Sequence, residues 1–209
     1  MERKENLVIL RGTAAEIPVL SHRSRGLDFY RFPLAVPRLS GREDRLNILI
    51  PTGLPLPQAG DYVEVRGEAR SFNNRSGTGN RLVITVLAQA VTAGIGEPCN
   101  LVTLRGRLCK PPVRRRTPLG RDICDLLLAV DRRYRRSDYL PCIAWGALAH
   151  RCGGMEPGEQ LWITGRFQSR VYWKTMGEVT QERTAFEISI SSLEEPITEG
   201  PEPFDLEGG

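Results

Sequence analysis

The chain has 209 residues, of which 40% are hydrophobic and 26% are charged, as is ordinary for a globular protein. No apolar run approaches the roughly 20 residues that a membrane helix needs, and residues 1–10 lack the apolar core and cleavage site of a secretion signal. These features exclude a helical membrane protein. We therefore expect a cytoplasmic protein with no membrane partner.

The charge is unevenly distributed along the chain. Residues 1–93 carry 13 basic and 9 acidic groups, residues 94–193 carry 16 and 10, and residues 194–209 carry 0 and 6, which gives net charges of +4, +6 and −6. Only three of the 29 basic residues are lysines, so 26 are arginines, whose planar guanidinium grips phosphate and stacks on bases. Two basic halves and an acidic tail suggest a polyanionic partner.

Neither the cysteines nor the histidines form a recognisable chemical site. The five cysteines are odd in number and contain no Cys-x-x-Cys pair, so we expect reduced thiols. A grouping of Cys142, His150 and Cys152 fits no zinc spacing. Since no catalytic triad, carboxylate pair or phosphate-binding loop can be assembled either, we expect no metal, no cofactor and no enzymatic activity.

An internal repeat divides the chain. Residues 6–12 (NLVILRG) match residues 100–106 (NLVTLRG), and the same offset of 94 residues aligns 34–38 with 128–132. The repeat predicts one domain over 1–94, a linker over 95–99, a second domain over 100–193 and a disordered acidic tail over 194–209.

In chain order, the second copy reads as about five strands. Apolar residues alternate at Leu126, Leu128 and Val130 and again over 186–190, as in strands with one buried face. Over residues 139–145, the alternation places Tyr139 and Trp145 on one face. Residues 146–155 read as a short helix. Five strands with a helix between the third and the fourth is the plan of an OB barrel, so we predict an all-β protein of two tandem OB barrels with a short helix in the second.

The second copy resembles the bacterial single-stranded-DNA-binding protein family over its whole length. The likeness is carried by residues 100–108 (NLVTLRGRL), 117–120 (TPLG), 128–132 (LAVDR) and 165–170 (GRFQSR), in that order. The whole chain looks closer still to a two-barrel form of this family with a divergent first copy. The resemblance implies binding and protection of single-stranded DNA, with little sequence preference, in replication, recombination and repair.

The resemblance also implies which residues bind the strand. Sequence-neutral binding needs aromatic faces for bases and cations for phosphates. The predicted stacking residues are Tyr134, Tyr139, Trp145 and Tyr172. The predicted phosphate contacts are Arg107, Arg114, Arg115, Arg116, Arg132, Arg133, Arg135, Arg136, Arg170 and Lys174. Burial of Trp145 in the core is the alternative for that residue, and Asp138 is expected to cap or orient a turn.

The first copy has different residues at the stacking positions. Opposite Tyr134, Tyr139, Trp145 and Tyr172 it carries Ser40, Arg45, Pro51 and Asn74. We therefore expect the first barrel to support oligomerisation and extend the basic track, and by analogy we expect a homodimer with four barrels. Replication or repair proteins are expected to bind the acidic tail through Phe204.

Two other functions remain open from the sequence. One is an RNA-binding OB protein, which would use the same aromatic and basic residues. The other is a protein-interaction module of a primosome or mobile-element replication complex, in which DNA contact is secondary.

Overall fold

A computed structural model describes residues 5–74, 82–132, 136–176 and 179–194. In these ranges the chain forms twelve strands and one short helix, and no helix there is long and apolar enough to cross a membrane. The elements are β1 (Asn6–Ala14), β2 (Val19–Ser24), β3 (Leu27–Pro37), β4 (Glu43–Pro51), β5 (Tyr62–Asn73), β6 (Leu82–Ala93), β7 (Cys99–Leu108), β8 (Val113–Arg116), β9 (Asp122–Arg132), β10 (Arg136–Trp145), α1 (Ala147–Cys152), β11 (Gln160–Met176) and β12 (Val179–Glu194).

The strands form two barrels with the same pairing. In the first, β1 pairs with both β3 and β5, and a parallel contact joins β4 to β6. In the second, β7 pairs with both β9 and β11, and a parallel contact joins β10 to β12. The predicted all-β class and tandem OB barrels are confirmed, with α1 inside the predicted helical segment. Strand β7 begins at Cys99, one residue before the predicted start of the second copy.

Glycine at one repeated position lets each barrel close. A Cβ atom on Gly12 would lie 2.2 Å from the carbonyl oxygen of Ala35, and one on Gly106 would lie 2.9 Å from that of Ala129. Both distances are below ordinary contact, so the strands cross too closely for any side chain there. The glycine that both copies of the repeat keep at this position thus has a structural cause in barrel closure.

The apolar alternation fills the two barrel interiors. Leu126, Leu128 and Val130 are buried, as their spacing predicts, and form part of one core cluster with residues of both barrels. By the same alternation, Ile143 shares the outward face of β10 with Tyr139 and Trp145, yet it is buried.

A pseudo-twofold axis relates the two barrels. Strands β1 and β7 pair antiparallel with Val8 opposite Val102, and these two residues are repeat equivalents. Because each strand meets its own counterpart at the same position, the axis passes through this pair. The barrels therefore associate as two copies of one domain in a symmetric dimer do.

A serine of the first barrel forms hydrogen bonds with the second barrel through its N–H, hydroxyl and carbonyl groups. The Ser71 N–H donates to Asp138, the Ser71 Oγ accepts from the backbone N–H of Tyr139 at 2.7 Å, and the Ser71 carbonyl accepts from Arg132 at 2.9 Å. Asp138 is fully buried and also pairs with the guanidinium groups of Arg132 and Arg70. We call this group, centred on Ser71, the first clamp. Asp138 therefore joins the barrels, in contrast to the expected role within a turn.

The pseudo-twofold axis generates a second clamp, centred on Ser169. Its N–H donates to Asp44 at 2.7 Å, its Oγ accepts from the backbone N–H of Arg45 at 3.2 Å, and its carbonyl accepts from Arg38 at 3.2 Å. Asp44 is fully buried and pairs with Arg38. Each barrel thus supplies an aspartate and an arginine to bind the other barrel's serine.

We expect Asp138→Asn to lower the free energy of unfolding by about 2–3 kcal/mol, because it leaves two clamp arginines without a buried anion. Urea unfolding followed by circular dichroism measures this. Asp125→Asn is the control, because the Arg115–Asp125 pair is exposed and its loss costs at most about 1 kcal/mol. Equal losses in the two variants would contradict a structural role for the first clamp.

Candidate nucleic-acid interface

Two aromatic residues stand on the outward face of β10. Tyr139 is 49% exposed and Trp145 is 36% exposed, so neither is a core residue. They are six residues apart, which separates them by about 20 Å at roughly 3.3 Å per residue. Exposed rings at this spacing offer stacking surfaces to separate bases on one strand.

Tyr139 shares its face with an arginine two strands away. It lies opposite Ala129 on β9, and Ala129 lies opposite Arg107 on β7. Cross-strand partners project to the same side of a sheet, so the exposed Arg107 stands roughly 10 Å from Tyr139 across a small residue. We call these three residues the Tyr139 row.

Trp145 has the same kind of partner. It lies opposite Ile123 on β9, which lies opposite Arg115 on the edge strand β8. Ile123 is buried on this face and gives the row an apolar floor. Hydrogen bonds with Asp125 hold the half-exposed Arg115 guanidinium and raise its pKa. Arg115, Ile123 and Trp145 form the Trp145 row, the second place where a cation and an aromatic ring share a face.

The other two arginines of β8 project away from this face. Arg114 donates to His150 Nδ1 at 2.7 Å, and His150 Nε2 lies 3.2 Å from Asp122, which also pairs with Arg116. This arrangement fits a His150 that carries its proton on Nε2. The hydrogen bond from His150, followed by that from Arg116, lowers the pKa of Asp122. The predicted triplet is therefore split, and only Arg115 joins Trp145.

The β9–β10 hairpin holds five predicted contact residues. Arg132 is bound to Asp138 and Ser71 in the first clamp, so its observed role is within the protein. Arg136 is exposed at the start of β10. Arg133, Tyr134 and Arg135 lie outside the described residues.

The long β11–β12 hairpin carries the remaining predicted residues. Arg170 is exposed on β11. Tyr172 and Lys174 lie farther along the strand, opposite Arg183 and Gln181, and their side chains lie outside the description. Trp173 is 67% exposed, which the sequence reasoning missed because it favoured Tyr172. The sequence feature that could have indicated Trp173 is a second aromatic residue beside Tyr172 in the same basic hairpin.

The first barrel presents a different surface at the equivalent places. Arg45 is exposed where the second barrel has Tyr139. Pro51 occupies the position of Trp145. Phe29 on β3 lies opposite Pro51, and His22 on β2 lies opposite Phe29. The rings of Phe29 and His22 stack with centroids 4.8 Å apart and an interplanar angle of 3°. Ser40 is exposed and Asn74 is half-buried. The first barrel thus lacks an equivalent of either row.

The cysteines are free thiols in the structure. Cys124, Cys142 and Cys152 are buried, and Cys99 and Cys109 are half-buried. Burial raises the pKa of Cys142 and raises that of Cys152 to about 11. Among the described residues, no group of three histidine, cysteine or acidic side chains is arranged to hold a metal ion.

We expect iodoacetamide at pH 8 to modify Cys99 in the folded protein and to leave Cys124, Cys142 and Cys152 unmodified until denaturant is added. The thiolate is the reactive form, and burial both suppresses it and excludes the reagent. Peptide mass spectrometry at successive times measures the modification. Modification of Cys152 as fast as Cys99 in native buffer would contradict the packing of α1.

The second barrel matches a known protein family. Residues 99–195 match the model of the single-strand binding protein family. Single-stranded DNA-binding protein 1 of Lactococcus lactis is 30% identical over 108 residues, covering 48% of this chain and 72% of that protein. Single-stranded DNA-binding protein 2 of Listeria innocua is 33% identical over 86 residues, covering 38% of this chain and 54% of that protein. The chain thus spans about half the length of some curated relatives.

Solved structures match both barrels together. The wild-type single-stranded DNA binding protein from Thermus aquaticus superposes with a TM-score of 0.74 at 24% identity, covering 100% of this chain and 98% of that chain. At this identity the likeness establishes a shared two-barrel fold.

Proposed function

The chain belongs to the single-strand binding protein family, and from this premise we propose that its second barrel binds and protects single-stranded DNA, with little sequence preference, during replication, recombination and repair. The observation that carries the proposal is the pair of rows that each join an aromatic ring to an arginine on one face. The family model covers this barrel and begins at its first strand.

The two rows suit a strand whose bases face the protein. Bases stack on Tyr139 and Trp145, while the backbone phosphates meet Arg107 and Arg115. Every base has an aromatic face, so stacking tolerates any sequence. The rows therefore favour coating of a strand over reading of its bases.

The two hairpins extend this surface in the proposal. Tyr134 and its neighbours Arg133, Arg135 and Arg136 would contact the strand beside Tyr139. Arg170, Tyr172 and Lys174 would contact it along the β11–β12 hairpin. The exposed Trp173 joins them as a further stacking residue. Arg114 and Arg116 contribute positive charge from the other face of β8, away from Trp145, and Arg132 contributes charge from within the first clamp.

The proposed activity is binding without catalysis or a cofactor, in the cytoplasm. Replication or repair proteins would bind the acidic tail, whose residues from 195 onward, including Phe204, lie outside the described residues.

We also propose that the chain forms a homodimer with four barrels. The hairpin of β2 and β3 supports this, because Ile17, Val19, Leu20 and Leu27 expose apolar surface at one end of the sheet. We expect sedimentation equilibrium to give twice the mass of the chain, and Leu20→Glu to shift it towards the monomer. A monomer for the unaltered chain at micromolar concentration would contradict the dimer.

We expect Trp145→Ala to weaken binding to oligo-dT by about 1–3 kcal/mol with the fold retained. Trp145→Phe keeps an aromatic face and is expected to lose less. Fluorescence titration measures the affinity, and circular dichroism checks the fold. The affinity of the unaltered chain should fall as salt rises, because binding to phosphates releases counterions.

Pro51→Ala is the matched control, since Pro51 occupies the position of Trp145 in the first barrel. An equal loss in both variants would refute the division of labour between the barrels. Tighter binding to oligo-rU than to oligo-dT would favour an RNA-binding protein. The absence of measurable affinity at moderate salt would favour a protein-interaction module.

A further inference from the structure

Phe72 is an exposed aromatic residue at the junction of the two barrels. It follows Ser71 on β5, and its side chain is 51% exposed. It is not part of the apolar core cluster, and its cross-strand partner Val83 is itself only half-buried. Burial of apolar surface within the first barrel therefore does not account for Phe72.

The first clamp brings Phe72 close to Tyr139. The backbone N–H of Tyr139 donates to Ser71 Oγ at 2.7 Å, so Phe72 is one residue from a direct bond to β10. At roughly 3.3 Å per residue, this places the two backbones within about 10 Å. Side chains alternate along a strand, so the Phe72 ring lies on the other face of β5 from the buried Ser71. For the same reason, the Tyr139 ring lies on the other face of β10 from the buried Asp138. Two half-exposed rings thus flank the junction.

The second clamp has cations at the same two positions. The second copy has a four-residue insertion before this point, so Arg170, which follows Ser169, corresponds to Phe72. Arg45 corresponds to Tyr139 at the offset of 94 residues. The backbone N–H of Arg45 donates to Ser169 Oγ, as that of Tyr139 does to Ser71. The two junctions share a backbone arrangement, and one offers two aromatic rings where the other offers two guanidinium groups.

We propose that Phe72 is a base-stacking residue that the first barrel adds to the surface of the second. A strand that leaves Tyr139 crosses the first clamp and places its next bases on Phe72. The inference rests on the proposed function, because it extends the Tyr139 row across the barrel boundary. It gives the first barrel a direct part in binding through a residue outside the positions equivalent to Tyr139, Trp145 and Tyr172.

The test compares Phe72→Ala with Phe72→Trp by fluorescence anisotropy on a long labelled oligo-dT. We expect Phe72→Ala to weaken binding about tenfold, as loss of one stacked base predicts, and Phe72→Trp to bind like the unaltered chain. Leu56→Ala is the matched control, because it also removes an exposed apolar side chain of the first barrel, in the segment between β4 and β5 and outside the proposed dimer surface. It should leave the affinity within twofold.

Cross-linking supplies a second measurement that does not depend on a variant. A strand containing 5-iodouracil is irradiated in complex with the full chain, and the cross-linked peptides are identified by mass spectrometry. We expect cross-links to Phe72 together with Tyr139 or Trp145. Cross-links confined to the second barrel, with unchanged affinity of Phe72→Ala, would overturn the inference.

The failure of this inference is distinguishable from failure of the proposed function. If Tyr139→Ala weakens binding and Phe72→Ala does not, the second barrel binds DNA and Phe72 takes no part. If the unaltered chain does not bind oligo-dT at all, the proposed function itself fails, and the inference fails with it.

Discussion

Ser71 and Ser169 each give their N–H, hydroxyl and carbonyl groups to the opposite barrel, and this fixes how the two barrels sit together. Asp44 and Asp138 are fully buried charges, which are tolerated only because arginines and backbone donors surround them. The β1–β7 pairing sets the axis, and the clamps add directional contacts on both sides of it. A buried network of this kind specifies one arrangement, because any slip leaves charges unpaired.

The same constraint shapes the proposed binding surface. The first clamp uses the free edge of β10 beside Tyr139, so the residue that begins the stacking face is also bound at its backbone by the other barrel. Strand β10, which carries Tyr139 and Trp145, is therefore held by β9 of its own barrel and by the first clamp. Preorganised rings lose little freedom when bases stack on them, which favours affinity. In the proposed function, the divergent first barrel supports binding by holding this strand in place.

Some of the site followed from residue alternation and some did not. The period of two placed Tyr139 and Trp145 on the outward face, and both are exposed there. The same alternation separates Arg115 from Arg114 and Arg116, but the register of β8 against β9 was needed to show which one joins Trp145. Arg132 looked like a phosphate contact within a basic loop. Its hydrogen bond to the Ser71 carbonyl depends on a residue of the other barrel, 61 positions away in the chain.

The sequence by itself determined the two copies, their all-β class and the rings on β10, because repeats and alternation are local properties of the chain. The tertiary structure alone decided which arginines share a face with those rings, and that Asp44 and Asp138 join the barrels. It also decided that the backbones of Phe72 and Tyr139 come within about 10 Å of each other at the first clamp. These relations arise where strands far apart in the chain meet, and the register of that meeting is set by packing and buried hydrogen bonds between the barrels.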